Sequence, residues 1–196
     1  MGLTVTSREP SSPIVLDTRA LGLQRRPGSM ITVTRTAPAP EGLGVALARV
    51  APGSPIDLDL RLESVLEGVL VSGAADLVVT AECARCLDPL DWEETVDLSE
   101  LFAYPSTDAR GAVVEEGADE NDPLPTLDDD CIDLEPTLRD AVVLELPLAP
   151  LCRDDCAGLC AECGIRIDEN PGHRHDRTDP RWAALSALTE TDAGTS

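Results

Sequence analysis

The sequence predicts an α+β fold: a mainly antiparallel β-sheet domain with one or two helices, followed by a C-terminal tail built on cysteine and histidine. Three observations carry this reading. Ile56-Asp-Leu-Asp-Leu-Arg-Leu-Glu63 alternates apolar and charged residues without a fault, the pattern of a strand with one face on a core and the other in water. Elsewhere the apolar residues come in short, often β-branched runs cut by glycine and proline, and only Pro136 and Pro180 stand where a helix would begin. Finally, four of the seven cysteines and both histidines fall between Cys152 and His175.

Taken in order, Ile14-Val-Leu16 is a short first strand and Arg25-Arg-Pro-Gly28 a turn. Ile31-Thr-Val-Thr34 is a β-branched strand, broken by Ala37-Pro-Ala-Pro-Glu-Gly42. A further strand is expected over Gly44 to Val50, before the alternating run at 56–63. The apolar phase shifts near Val65-Leu66, which predicts a β-bulge there. Gly68-Val-Leu-Val71 continues as strand, Ser72-Gly73 reads as a turn, and Leu77-Val-Val-Thr80 returns. Trp92, Val96 and Leu98 alternate with acids on another strand that ends near Tyr104. Ile132-Asp-Leu134 pairs briefly with the sheet. Pro136 then opens a helix with Leu138, Ala141, Val142 and Leu146 on one side, and Pro147 stops it. Asp179-Pro-Arg-Trp182 has the capping residue and first-turn proline of a terminal helix. Aromatic residues make up only 2% of the chain, so the core must be built from Val, Leu, Ile and Ala.

The net charge of −22 is unevenly placed. Residues 82–145 hold 20 acids against 3 arginines, whereas residues 1–81 hold 8 acids against 7 arginines. From Pro105 to Asp130 the chain is acidic, rich in glycine and proline, and without periodicity, which reads as a flexible insertion. The expected organisation is a β domain over 1–104, the acidic insertion over 105–130, a strand and helix completing the β domain over 131–150, and a Cys/His tail with its terminal helix over 151–196.

Cys160-Ala-Glu-Cys163-Gly164 is the tightest part of the tail. A two-residue gap lets both sulfurs face one ion from a turn, and Gly164 suits the positive φ such turns use. In His173-Arg-His175, two imidazoles two residues apart on extended chain point to the same side. Two thiolates and two imidazoles complete a tetrahedral zinc shell with no open position, which is structural rather than catalytic. Cys83-Ala-Arg-Cys86, at the end of a strand, can hold metal in the same way. Seven cysteines and two histidines are nine soft ligands, enough for two tetrahedral sites with one left over. Cys131, isolated in sequence, is the remainder and is expected to be a buried thiol. A second site of Cys83, Cys86, Cys152 and Cys156 would staple the strand end to the tail. Cysteines at helical spacing also suit a buried helix face, but Gly158 and Arg153-Asp-Asp155 argue against a helix there. Two disulfides would need an oxidising compartment, and a dithiol redox centre is the remaining alternative.

With these motifs laid out, the chain resembles the YceD family, the large ribosomal RNA subunit accumulation proteins, in its actinobacterial form. The resemblance runs through Arg26-Pro-Gly-Ser29, Arg61-Leu-Glu63, Cys83-Ala-Arg-Cys-Leu87, Asp133-Leu-Glu-Pro136, Arg139-Asp140 and Pro150-Leu-Cys152. It continues through Gly158-Leu-Cys160, Cys163-Gly164, His173-Arg-His175 and Asp179-Pro-Arg-Trp182. Many family members carry Cys-x-Cys where this chain has His173-Arg-His175, and exchanging thiolate for imidazole keeps zinc ligation. The resemblance implies a role in large-subunit rRNA accumulation and ribosome assembly, for which a non-enzymatic factor is the first reading; with no charged-then-apolar leader, a cytoplasmic location is expected. No apolar run reaches the roughly 18 residues of a membrane span, and neither a membrane nor a small-molecule substrate is expected as partner.

The partner is then a basic ribosomal protein or a large-subunit rRNA precursor. Direct RNA binding wants a basic face and stacking aromatics, so the charge favours the protein. A local RNA contact through Arg25, Arg26, Arg174, Arg177 and Arg181 requires those residues to converge. Two enzymatic readings compete. A thiol-disulfide oxidoreductase would use Cys83/Cys86 or Cys160/Cys163, yet neither pair stands at a helix start. A zinc hydrolase would need an open coordination position that the ligand count does not leave.

Overall fold

The computed structural model describes residues 14–105 and 124–175. Eight elements follow one another: β1 (Val15–Asp17), β2 (Met30–Pro38), β3 (Ala48–Val50), β4 (Pro55–Ser64), β5 (Gly68–Glu82), β6 (Pro89–Ala103), β7 (Cys131–Asp133) and α1 (Glu135–Glu145). The main sheet is antiparallel, in the order β2-β4-β5-β3, with β6 also paired to β5; β1 and β7 form a separate two-stranded ribbon.

The alternation at 56–63 does what its period demands. Ile56, Leu58, Leu60 and Leu62 are buried, and Asp57, Asp59 and Arg61 are exposed. The core continues across Val69, Val71, Ala75, Leu77 and Val79 of β5 and Val96, Leu98 and Phe102 of β6. Leu16 of the ribbon and Ile14 just before it, with Leu138 and Val142 of α1, close it over, and Pro136 sits in the first turn of the helix as expected. Arg139 anchors that helix: its guanidinium donates to the carbonyls of Glu41 and Gly42 and pairs with Glu135 one turn earlier. Among the described residues no helix is long and apolar enough to cross a membrane.

The structure corrects several local expectations. Ser72-Gly73 is not a turn. β5 runs unbroken through it, with Gly73 paired to Leu60 on one side and Leu98 on the other. The inward parity of 69, 71, 75, 77 and 79 never shifts, as an uninterrupted strand requires. Glycine is there because β4 passes so close that a Cβ would collide with the Asp59 carbonyl. The phase shift at Val65-Leu66 is no bulge but the hairpin turn between β4 and β5, with Val65 N–H bonded to Gly68 O at 2.9 Å. The strand foreseen over Gly44–Val50 shortens to Ala48–Val50. The Ala37-Pro38 break comes late, because β2 is an edge strand on which proline leaves no central ladder bond unmade.

The end of the acidic segment is built into the fold. Leu127 is buried and Thr126 bridges to Ala103. Asp130, buried at a positive φ of 66°, accepts ion pairs from Arg19 and Arg25, and its carbonyl accepts from Thr18 Oγ1 at 2.8 Å. Burial alone would raise this carboxyl, but the two guanidiniums hold it below its ordinary range. The Arg25 guanidinium also lies 4.8 Å over the Tyr104 ring, and Tyr104 Oη is 2.9 Å from Ser64 Oγ. The rest of the proposed insertion and the terminal helix from Asp179 lie outside the described residues. Cys131 is half-buried on β7 rather than fully buried, and burial together with Asp17 and Asp128 pushes its thiol up.

Candidate metal centres

The β5–β6 hairpin turn is a Cys-x-x-Cys knuckle whose two thiols could serve a metal ion. Cys83 N–H bonds Asp88 O at 2.8 Å, Leu87 N–H returns to Cys83 O at 2.9 Å, and Leu87 takes a φ of 62°. The tail repeats this arrangement. Cys160 N–H bonds Ile165 O at 2.8 Å, Gly164 N–H returns to Cys160 O at 2.8 Å, and Gly164 takes a φ of 72°. The two Cys-x-x-Cys pairs therefore share one backbone geometry, with leucine in one knuckle where the other has glycine.

Each knuckle meets a second pair of ligands. Cys83, Cys86, Cys152 and Cys156 form one cluster and Cys160, Cys163, His173 and His175 the other; within each, the ligand atoms all lie within 4.8 Å of one another. In the first, Cys83 Sγ is 3.9 Å from Cys156 Sγ and Cys86 Sγ is 3.6 Å from Cys152 Sγ. A tetrahedron with Zn–S bonds of about 2.3 Å has sulfurs about 3.8 Å apart. These sulfurs bracket that spacing and lie far beyond a disulfide bond. In the second cluster Cys163 Sγ is 3.2 Å from His173 Nε2 and 3.3 Å from His175 Nε2, and the two imidazole nitrogens are 2.8 Å apart. Mixed sulfur and nitrogen shells are somewhat tighter, near 3.5 Å, so this group would open by a few tenths of an ångström around an ion. His175 turns its other ring nitrogen to Glu162 Oε2 at 3.3 Å, the carboxylate support that orients ligating histidines.

The protonation of the thiols follows from the knuckles. Backbone N–H groups of Cys86, then Arg85 and Cys152, outweigh burial and hold Cys83 near a pKa of about 6. The N–H groups of Cys163 and Glu162 do the same for Cys160, also at about 6. The Asp88 N–H favours the Cys86 thiolate, but burial, the neighbouring Cys83 and Cys152 thiols and the Asp88 carboxylate win, and Cys86 is pushed up to about 12. Burial first, then Cys156, raises Cys152 as well. Four thiols so close together cannot all ionise alone; a dication at their centre removes that repulsion.

The two clusters differ in their setting. Cys83, Cys86 and Cys156 are buried and pack with Leu90 and Leu151, whereas Cys163 and His175 are exposed. Sequence reading had no means of finding Asp88, which joins the two: it forms a bidentate ion pair with Arg166, with Arg166 Nη1 2.9 Å from Asp88 Oδ2. Of the arginines considered for an RNA contact, Arg25 is committed to Asp130 and Tyr104, and Arg177 and Arg181 lie outside the described residues.

An antiparallel sheet capped by an α-helix, with paired Cys/His knuckles on a strand turn and on the tail, defines a small α+β protein with two candidate metal centres. Residues 71–189 match the family described as large ribosomal RNA subunit accumulation protein YceD, and the chain belongs to that family. An uncharacterized protein of Mycobacterium tuberculosis strain H37Rv is 43% identical over 188 residues, covering 96% of this chain and 87% of its own. An uncharacterized protein of Mycobacterium leprae is 44% identical over 187 residues, or 95% of this chain and 82% of its own. The chloroplastic large ribosomal RNA subunit accumulation protein YCED homolog 1 of Zea mays is 23% identical over 175 residues, or 85% of this chain and 50% of its own. No solved structure gives a significant match.

Proposed function

We propose that this protein is a non-enzymatic cytoplasmic factor for large-subunit ribosome biogenesis, holding a basic ribosomal protein against the acidic outer face of its sheet. The family description supports a ribosomal role. The observation that carries the choice of partner is the charge of that face. Asp57 and Asp59 of β4, Asp76 of β5, and Asp91, Glu93 and Asp97 of β6 all point outward and are exposed. Asp57 stands directly opposite Asp76, and Asp59 and Asp97 flank Ala74 across the sheet. Like charges in register cost stability, and a cationic partner offsets that cost while a phosphate backbone adds to it. The rRNA reading is the weaker one for the same reason. The acidic character thus extends to the sheet surface as well as the 105–130 segment.

On this reading the two clusters each hold one structural zinc. Four donors per cluster leave no open position for hydrolysis; burial of the low-pKa Cys83 sets that pair against thiol-disulfide exchange, while for the more open Cys160/Cys163 pair it is the two histidines at ligand distance that favour metal. The test is a pull-down from reducing lysate with the full chain, an Asp59→Asn/Asp76→Asn/Asp97→Asn variant, and a deletion of residues 106–123. Salt-sensitive capture of an identified large-subunit protein, lost in the triple variant, is the expected result. Nuclease-sensitive capture of rRNA alone, unchanged in the triple variant, would overturn the proposal.

A further inference from the structure

We infer that the two centres load metal cooperatively, and that Asp88 and Arg166 are the positioning residues that couple them. The inference rests on the metal reading above and adds a dependence between the sites. The second knuckle does not stand free of the first. Leu159 N–H bonds Arg85 O at 3.0 Å, inside the Cys83–Cys86 turn, and Ala84 N–H bonds Pro150 O at 2.7 Å. Arg85 reaches back from that turn, with Nη1 2.9 Å from Cys156 O. The strand pair that carries the second knuckle, with Leu159 bridged to Arg166, is therefore laid directly on the backbone of the first.

The Asp88–Arg166 pair closes the contact. Asp88 Oδ2 is 3.4 Å from Cys86 Sγ, so its carboxylate sits at the edge of the four-cysteine cluster. Arg166 lies three residues beyond Cys163, and its carbonyl accepts from Asn170 Nδ2 at 3.0 Å; Asn170 O in turn accepts from His173 N–H at 3.1 Å. One bidentate ion pair thus touches a thiol of one centre and, through Asn170, the histidine arm of the other. A four-thiolate zinc centre carries a net charge of −2, whereas a two-thiolate, two-imidazole centre is neutral. Loading the first centre fixes the 83–88 turn and the negative charge that holds Arg166 beside it. Arg166 in place pre-orders the loop that presents His173, so the second ion has less conformational entropy to overcome. By reciprocity the second ion favours the first to the same degree.

The experiment is native mass spectrometry of the full reduced chain with one equivalent of zinc, comparing the wild type with Asp88→Asn, Arg166→Gln and the double variant. Two independent sites of equal affinity leave about half of the chains with a single ion, and a coupling of about tenfold lowers that fraction to about a quarter. Because unequal affinities also raise the singly loaded fraction, the affinity of each centre is measured too in chains whose other centre is disabled by Cys156→Ser or His175→Ala, and coupling is the part of the fraction that those affinities leave unexplained. Both side chains are about 40% exposed, so the substitutions leave the fold intact. The expected result is a higher singly loaded fraction in each single variant, and no further rise in the double. A fraction equal to wild type, or effects that simply add, overturns the coupling. A chain that takes up no zinc under reducing conditions fails the metal reading itself, and with it this inference.

Discussion

The two candidate centres use the same knuckle for different work. The four-cysteine cluster joins chain segments 73 residues apart, from Cys83 to Cys156; three of its thiols are buried against Leu90 and Leu151, and Cys152 is exposed. The Cys2His2 cluster is local, drawn from Cys160 to His175, and is more open to solvent, with Cys163 and His175 exposed and Cys160 and His173 half-buried. With an ion bound, the first would fasten the tail to the end of the sheet and the second would fold the tail's own loop. The contrast shows how one backbone motif becomes a staple or a clip according to where its partner ligands come from.

Breaking each centre in turn gives the largest expected effect. Structural zinc contributes on the order of 10–16 kcal/mol of apparent binding energy, so chelation should release residues 150–175 while the sheet stays folded. Cys156→Ser should remove hydrogen-exchange protection at the N–H of Ala84 and Leu159, whereas His175→Ala should leave Ala84 protected and lower the zinc content to one ion. Equal loss of protection in both variants would erase the distinction between staple and clip.

The sheet provides the reference for that comparison. Leu60→Ala, at a site only 1% exposed, should cost about 2–5 kcal/mol in urea unfolding, with the zinc content of the native state unchanged. Loss of zinc in parallel with sheet stability would mean that the tail and the domain are one cooperative unit.

Protons separate the centres more finely. At pH 7 Cys83 and Cys160, near 6, have already ionised, whereas Cys86, near 12, and the raised Cys152 have not. Loading the four-cysteine centre must therefore expel at least two protons, from Cys86 and Cys152. Its affinity should weaken as pH falls, and more steeply below about 6, where Cys83 must be deprotonated as well. Calorimetry in buffers of different ionisation enthalpy, on a chain with the Cys2His2 centre disabled, would count those protons.

The smallest effect concerns the position at which one knuckle has leucine and the other glycine. Leu87 is 56% exposed and sits at a φ that costs an L-residue about 1–2 kcal/mol, so Leu87→Gly should be neutral to stabilising by up to about 1 kcal/mol. Gly164→Ala should move the other way by a similar amount. Thermal melts of the zinc-loaded chain would show both.

Most of the sheet was legible because its signal is local. Alternation of period two at 56–63, and proline at the head of α1, depend only on neighbours in sequence and held in the structure. Where the reading failed, the deciding contact came from elsewhere in the chain. Ser72-Gly73 has turn chemistry, yet β4 and β6 on either side hold it straight, and the glycine serves a close approach that no local pattern records. Asp130 looked like one more acid in a charged run, and only the placement of Arg19 and Arg25 made it a buried anchor.

The candidate centres divide in the same way. Cysteine and histidine spacing alone determined that Cys160, Cys163, His173 and His175 could face one point, because 16 residues of chain leave few ways to arrange them. That Cys83/Cys86 meets Cys152/Cys156 was decided only by the tertiary structure, because the approach of segments about 70 residues apart depends on the packing of the whole sheet and helix between them. The same holds for the acidic face. Composition determined the charge of the chain, but strand register alone set Asp57 against Asp76 and turned that charge into a surface.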